Sequence, residues 1–323
     1  MTPMHNVRYS GKRLGQIFGM RPAEITKVLG ERKHFGLEEF SVLRARAGMK
    51  VAEMGVRKQL FLNFKGGTGK TSLSTSYAYR LAERGYRVLL VDLDSQGHAT
   101  KCLGRDGSEF ERTLFDVLIK KAPVREVMVP TGLPGLSLLP ANIRMSTMEL
   151  ALMPMSGREF KLRNALKDVE PDFDYIVLDA PPSFGLLNLN ALMASNDLFV
   201  PVLADFLSYD GLKLLFETVQ GLEEDLSHGL EQIFIVVNAY NQTFKISREA
   251  LVALREHYGE FLLATVVRQC TKFAQASSEG CPIFGFDPDS KGATDLEAVI
   301  DEAQARIRRA LDPSAPARGA AGA

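Results

Sequence analysis

One segment of the chain carries most of the information about its architecture: Lys65-Gly66-Gly67-Thr68-Gly69-Lys70-Thr71. It follows the apolar run Leu60-Phe61-Leu62-Asn63-Phe64 and leads into a helix-compatible stretch that starts at Ser72. Glycines at this spacing let successive backbone N–H groups turn inward around an anion, and the start of a helix adds partial positive charge. A strand, a glycine-rich loop and a helix in this order predict a phosphate-binding P-loop.

Two lysines lie in this loop, and each predicts a different contact. Lys70 and Thr71 occupy the positions that reach the β- and γ-phosphates and that supply a hydroxyl to Mg²⁺. Lys65 is a departure, because the common form of the loop does not require a lysine at its first position. We interpret Lys65 as a charge intended for another phosphate.

Two further apolar runs end in carboxylates. Residues 87–91 lead into Asp92-Leu93-Asp94-Ser95-Gln96-Gly97, and residues 174–178 lead into Asp179. Buried parallel strands carry ligands outside their carboxyl ends, so we expect these acids beside the P-loop, where Asp179 can hold Mg²⁺ through water. Asp92 is interpreted as a structural carboxylate at a strand end. For Asp94, a helix N-cap is the alternative to a role at the nucleotide.

The three segments resemble the deviant Walker A, Walker A′ and Walker B motifs of the ParA/MinD family of ATPases, in its ParA-like branch. Residues 266–276 and 283–293 are similar to the C-terminal segments of the same family, so the resemblance covers residues 59–311. It implies ATP and Mg²⁺ as cofactors and hydrolysis of ATP to ADP and phosphate.

The resemblance also implies a role for each residue. Lys70 would bind the nucleotide of its own subunit, whereas Lys65 would cross to that of a partner, so that ATP holds a homodimer together and hydrolysis dissolves it. Asp94 would orient or activate the attacking water, completing a catalytic set with Lys65 and Lys70. Thr71 and Asp179 would hold Mg²⁺. The implied nucleotide-binding residues are Lys65, Gly66, Gly67, Thr68, Gly69, Lys70, Thr71, Ser72 and, in the adenine pocket, Asn238.

The rate of phosphoryl transfer depends on positioned charge around the γ-phosphate. Neither a histidine nor an arginine lies within the three motifs to serve as an additional catalyst. We therefore expect slow basal hydrolysis that activating scaffold proteins stimulate.

Composition places limits on the class of protein. The chain has 323 residues, 46% of them hydrophobic, which is enough for a large core. No apolar run approaches the roughly 18 residues needed to span a bilayer, and the N-terminus has no secretion pattern, which favours a cytoplasmic protein. The three cysteines lack paired metal spacing and predict neither zinc nor a disulfide. Because the net charge is zero, any DNA binding must come from a local patch.

Alternating strands and helices predict an α/β fold with a doubly wound, mostly parallel sheet of about seven or eight strands. We divide the chain into a basic N-terminal extension (1–57), a ParA-like ATPase domain (58–311) and a disordered tail (312–323). The predicted strands centre on Phe61, Leu89, Leu138, Val177, Val200, Val236 and Leu263.

The extension carries 11 Lys and Arg against 5 Asp and Glu, an excess of six positive charges. Residues 12–18 and 22–29 have helical patterns on either side of Gly19-Met20-Arg21, which predicts helix, tight turn, helix. The segment is either a helix-turn-helix that reads an operator, as in plasmid-type partition ATPases, or a small basic element packed on the ATPase domain. We favour the second interpretation, because the segment is short and its second helix offers few side chains for base edges.

Non-specific binding to double-stranded DNA is the more strongly indicated nucleic-acid contact. The region around 268–273 matches the part of the family that grips phosphates, with Lys272 the first candidate and Arg268 the second. Further candidates are Lys245, Arg248 and Lys291; ordinary solvated charge is the alternative for each. Membrane binding, as in MinD, is disfavoured, because the C-terminal helix has acidic residues in its first half and core spacing along one side. That side consists of Leu296, Val299, Ile300, Ala303, Ile307 and Leu311.

Taken together, these features predict an ATP-dependent dimer, associated with the nucleoid, that positions a cargo. Cell-division placement is the favoured output, and a plasmid or chromosome partition ATPase with an operator-binding segment is the alternative. Two other classes stay open: a transcriptional regulator, which needs a defined operator, and a metabolic P-loop kinase or amidotransferase, which needs an acceptor pocket. The motifs do not identify the cargo.

Overall fold

The structure is a computed structural model that describes residue 4 and residues 7–48, 55–205 and 208–312. The predicted tail lies outside the described residues except for Asp312. Residues 1–3, 5–6 and 49–54 of the predicted extension also lie outside them.

The described residues form one seven-stranded sheet. Its strands are β1 (Arg57–Phe61), β2 (Val88–Asp92), β3 (Val129–Pro130), β4 (Leu136–Leu139), β5 (Tyr175–Asp179), β6 (Asp197–Leu203) and β7 (Gln232–Asn238). The spatial order is β3-β4-β2-β5-β1-β6-β7, and every neighbouring pair is parallel except β3 with β4. The predicted fold class is confirmed.

Helices flank this sheet on both faces. They are α1 (Gly11–Phe18), α2 (Pro22–Leu29), α3 (Leu37–Ala47), α4 (Lys70–Glu83), α5 (His98–Cys102), α6 (Leu114–Lys120), α7 (Val124–Val127), α8 (Met148–Leu152), α9 (Lys161–Leu166), α10 (Leu186–Met193), α11 (Ser208–Leu226), α12 (Lys245–Tyr258), α13 (Lys272–Ser278), α14 (Ile283–Phe286) and α15 (Lys291–Leu311). Short 3₁₀ turns cover Gly107–Glu109, Ile143–Thr147, Arg158–Phe160 and Glu170–Asp172.

The sheet register brings the carboxyl ends of three strands together. Asp179 at the end of β5 pairs with Phe61 of β1 on one side and with Asp92 of β2 on the other. The P-loop follows β1, and every residue of β2 and β5 is buried. The predicted convergence of the three strand ends is therefore present.

The strand prediction at Leu263 is wrong. This segment makes only an isolated bridge to β7, between Leu262 and Ile235. The ladder stops because the Thr265 N–H, which would donate next to β7, donates instead to the Glu302 carboxylate on α15 at 3.0 Å; the Ala264 N–H donates to the same carboxylate at 2.8 Å. The seventh strand is instead β3, which the sequence pattern did not predict. It is only two residues long, and its second residue is a proline, which cannot donate to a ladder.

The C-terminal helix α15 packs its apolar side into the core. Five of the six predicted residues are buried, and Leu311 at the end of the helix is 42% exposed. Because that side is covered by protein, it is not presented as a lipid-facing surface. Among the described residues, no helix is both long enough and apolar enough to cross a bilayer.

The N-terminal extension contains the predicted helix, turn and helix, with Gly19 in the left-handed conformation between α1 and α2. It packs on the C-terminal half of α4: the hydroxyls of Tyr9 and Tyr79 lie 2.6 Å apart in the core. From α3, the Arg44 guanidinium donates to the carbonyls of Ala82, Gly85 and Pro134. The N-terminal extension is thus joined to α4 and to the segments that follow it. β1 already begins at Arg57, so the boundary predicted after residue 57 falls inside a strand.

Candidate nucleotide-binding site

The P-loop curls around the ammonium of its second lysine. Lys70 is 6% exposed, and its Nζ donates to the carbonyl of Lys65 at 3.0 Å. Burial lowers the pKa of Lys70, against the opposing effect of the nearby charges of Asp179 and Asp94. The group is therefore a largely desolvated cation on the inner side of the loop, where an anion would interact with it strongly.

Asn238, at the end of β7, braces this loop. Its Nδ2 donates to the carbonyl of Thr68 at 2.8 Å. Gly69 has φ +92° there, and a Cβ at this position would lie 2.2 Å from Asn238 Nδ2, so only glycine fits. Asn238 thus holds the loop in shape, and its predicted contact with adenine stays a prediction.

Asp179 lies directly behind the first turn of α4 and is fully buried. It accepts hydrogen bonds from Thr71 Oγ1 and Ser74 Oγ, both at 2.8 Å. Burial, together with the charge of Asp92, raises the pKa of Asp179 to about 7. A hydroxyl beside an acid of this kind is the oxygen-donor chemistry that Mg²⁺ prefers, and a bound cation would relieve the buried negative charge.

Among the described residues, no group of three or more His, Cys, Asp or Glu side chains could by itself enclose a metal ion. Mg²⁺ does not require such a cage, because it keeps several waters and is usually held by one or two protein ligands together with substrate phosphates. Thr71 and Asp179 are therefore suitable residues for holding Mg²⁺.

Asp92 has the structural role predicted for it. Its Oδ2 accepts the backbone N–H and the hydroxyl of Thr100, at 2.8 and 2.7 Å, and its Oδ1 accepts the N–H of Asp94 at 3.0 Å. Burial raises its pKa to about 6. These bonds attach the first turn of α5 to the end of β2.

Asp94 is not a helix N-cap, so that alternative is wrong: α5 begins at His98, and Gly97 is its N-cap. The Asp94 carboxylate is held from two directions, by the N–H of Gln96 on Oδ1 and by His98 Nδ1 on Oδ2, both at 2.9 Å. His98 was not predicted, because it lies one residue beyond the motif. A spacing of four residues from Asp94 is no signal here, since it brings side chains together only within a helix and α5 begins at His98.

Lys65 points away from the interior of the loop. Its Nζ lies 2.9 and 3.2 Å from the two carboxylate oxygens of Asp205, and both side chains are 31% exposed. Its backbone N–H donates to Asn63 Oδ1 at 2.9 Å. The two lysines of the loop therefore face different surroundings, one buried and one accessible.

Three of the five DNA candidates lie around one surface cleft of about 710 Å³: Arg268, Lys272 and Lys291. Arg268 forms a two-pronged ion pair with Asp295, at 2.8 and 2.7 Å. Lys272 lies 3.6 Å from Asp287 and is 40% exposed. The other two candidates, Lys245 and Arg248, do not line this cleft.

Comparison with known proteins gives three findings. A family model described as an AAA domain matches residues 57–232. The cell division protein PomZ of Myxococcus xanthus is 62% identical over 93% of this chain and 93% of its own length, and the chromosome partitioning protein ParA of Caulobacter vibrioides is 33% identical over 79% and 95%. A solved structure of cobyrinic acid a,c-diamide synthase from Mycobacterium smegmatis, with bound ATP analogue and magnesium, is 30% identical, has a TM-score of 0.67 and covers 78% of this chain and 96% of that chain.

Proposed function

The chain belongs to the ParA-like branch of the ParA/MinD family of P-loop ATPases, and from this we propose that it is an ATP-switched homodimer that binds nucleoid DNA and positions the cell-division machinery. The 62% identity to a cell division protein over nearly the whole chain favours division placement above the other outputs of the family.

In this proposal ATP lies along the P-loop. The backbone N–H groups of the loop, from Gly66 to Ser72, surround the phosphates, and the buried ammonium of Lys70 neutralises the β- and γ-phosphates. Thr71 and Asp179 are the residues that would hold Mg²⁺. When bound, the ion supplies positive charge to the phosphate oxygens.

The observation that carries the proposal is the separation of the two lysines. Lys70 already supplies the positive charge inside the loop, so a second cation is not needed there. Lys65 is held at the rim by Asp205, and both side chains are accessible to a partner. A flexible ammonium on the rim can reach a phosphate bound by a second copy of the chain, so nucleotide binding becomes a condition for dimerisation.

Asp94 is proposed to orient the attacking water. Its carboxylate follows β2 at the same sheet edge as Asp179 and the P-loop, and two hydrogen bonds fix its plane. Hydrolysis removes the γ-phosphate that the two subunits share and thereby releases the dimer. We expect scaffold proteins of the PomX and PomY kind to stimulate this step.

DNA binding is proposed for the basic cleft of Arg268, Lys272 and Lys291. Lys272 is the first choice, because its ion pair with Asp287 is long and exposed and costs little to exchange for a phosphate. Arg268 is the weaker choice, because its guanidinium already donates to both carboxylate oxygens of Asp295.

The test uses the full chain with ATP and Mg²⁺, and light scattering measures its mass. We expect Asp94→Ala, which blocks hydrolysis, to be trapped as a dimer that binds DNA of any sequence. Lys65→Ala is expected to bind ATP and stay monomeric. Lys58→Ala is the control, because Lys58 is another lysine in an ion pair with a carboxylate, at the start of β1, with a side chain that is 16% exposed.

Two outcomes would contradict the proposal: an Asp94→Ala protein that stays monomeric with ATP, or a Lys65→Ala protein that dimerises like the parent. Binding to a single DNA sequence would favour the partition and regulator alternative, with the N-terminal helices as the reader. ATP-dependent amidation or phosphorylation of a small molecule would favour a metabolic enzyme.

A further inference from the structure

A histidine outside the predicted catalytic set contacts the Asp94 carboxylate. His98 Nδ1 lies 2.9 Å from Asp94 Oδ2, while Asp94 Oδ1 accepts the N–H of Gln96 at the same distance. An ionised carboxylate only accepts hydrogen bonds, so Nδ1 must carry the proton in this contact. The His98 side chain is 57% exposed and that of Asp94 is 11% exposed. The histidine therefore covers a carboxylate that is otherwise largely enclosed.

The backbone holds His98 in this place. Gly97 precedes it with φ +62°, and a Cβ there would lie 3.2 Å from the Ala141 carbonyl oxygen, so the turn that returns the chain over Asp94 favours glycine. Thr100, two residues after His98, donates both its N–H and its hydroxyl to Asp92. The segment from Asp94 to Thr100 is thus attached at both ends, which fixes the position of the His98 backbone.

A carboxylate that directs water must present one oxygen in a constant direction. In the hydrolysis step the water oxygen forms a new bond to the γ-phosphorus, and the bond from that phosphorus to the bridging oxygen breaks. The bond's electron pair leaves with ADP, and the proton of the water passes through Asp94 to solvent. A side chain that rotates freely loses part of the alignment on which this step depends.

We propose that His98 is a positioning residue for Asp94: its Nδ1–H fixes Oδ2, so that the lone pairs not used by His98 and Gln96 stay aimed at the water. The inference rests on the role proposed above for Asp94. The hydrogen-bond donor, His98, lies outside the P-loop and outside the three motifs.

The experiment compares full-length variants by steady-state ATP hydrolysis with Mg²⁺ and double-stranded DNA. For His98→Ala we expect kcat to fall about tenfold with KM for ATP unchanged, because one hydrogen bond to a charged group is lost. His98→Asn should recover most of the rate, because Asn Nδ2 and His Nδ1 are both attached to Cγ and reach the same point. In His98→Gln the amide lies one bond further from the backbone, so this variant should not recover the rate. His257→Ala is the control, an exposed histidine on α12 whose Nδ1 contacts a backbone carbonyl, that of Ala253.

The two single variants separate this inference from its premise, because the proposed role of Asp94 predicts that Asp94→Ala by itself abolishes hydrolysis, whereas His98→Ala only slows it. If Asp94→Ala hydrolyses ATP at the parent rate, the proposed role of Asp94 fails. If Asp94→Ala is inactive and His98→Ala keeps the parent kcat, or exceeds it, only the role of His98 is overturned. A loss of ATP-dependent dimerisation in His98→Ala, without recovery in His98→Asn, would show a structural role instead and would also overturn it.

Discussion

The ion pair between Lys65 and Asp205 should oppose dimerisation, and Asp205→Asn tests this directly. If Lys65 must cross to the nucleotide of a partner, it has to leave a carboxylate that lies 2.9 Å away in the single chain. The substitution keeps the size of the side chain and removes its charge. We therefore expect the variant to dimerise with ATP more tightly than the parent.

The structure limits the size of this effect. Both side chains are 31% exposed, so water screens the pair, and such pairs contribute about 0.2–1 kcal/mol. A symmetric dimer breaks the pair twice, which gives about 0.4–2 kcal/mol, or roughly a 2- to 30-fold lower dissociation constant for the dimer.

Sedimentation equilibrium in the hydrolysis-blocked Asp94→Ala background measures the dissociation constant without turnover. Glu170→Gln is the matched control, because it breaks another lysine–carboxylate pair, with Lys58, at the opposite end of β1. An Asp205→Asn protein that dimerises more weakly than the parent would refute the reasoning, since Asp205 would then contribute to the dimer and not compete with it. An equal effect of Glu170→Gln would show that general charge is responsible.

Lys272→Ala should lower DNA affinity for all sequences and reduce the slope of log K against log salt by about 0.9 for each subunit, measured by fluorescence anisotropy with Lys213→Ala, at an exposed lysine of α11, as control. Because the pKa of Asp179 is raised to about 7, its contribution to the stability of the metal-free protein falls as pH rises from about 4 to 7. Asp179→Asn should therefore gain stability relative to the parent by up to about 1.4 kcal/mol per pH unit over that window, measured by urea unfolding. Arg44→Ala leaves three backbone carbonyls without their donor and should cost about 2–4 kcal/mol in thermal unfolding, whereas Arg46→Ala, at an exposed position, should cost little.

The sheet was largely predictable, because a parallel strand buried on both faces leaves a continuous apolar run between polar ends. The failure at Leu263 has a different cause. The backbone of an apolar run can also be hydrogen-bonded by a side chain, and here the Glu302 carboxylate, nearly 40 residues further along the chain, accepts the Thr265 N–H that would continue the ladder. β3 was not predicted, because a strand of two residues is too short to show an alternation of apolar and polar side chains.

The nucleotide loop was predictable because its chemistry needs residue types at fixed spacing within one turn of chain. The contacts of Asn238, Asp205 and His98 were not, for two distinct reasons. Asn238 and Asp205 lie more than a hundred residues from the loop that they touch, and only the sheet order brings them to it. His98 is near Asp94 in sequence, but its direction depends on the left-handed turn at Gly97, which a motif pattern does not encode.

Helix α4 links the nucleotide loop to the N-terminal extension, and this connection bears on what the extension does. The helix begins at Lys70 in the loop and ends at Glu83, whose fully buried carboxylate lies 2.8 Å from the Arg80 guanidinium and 3.5 Å from that of Arg13 in the extension. Removing the extension would leave a buried negative charge with one partner fewer and would expose the Tyr79 hydroxyl to water. The extension is therefore part of the structure that supports α4. If α1 and α2 bind DNA, they do so while attached to α4, the helix that begins in the P-loop.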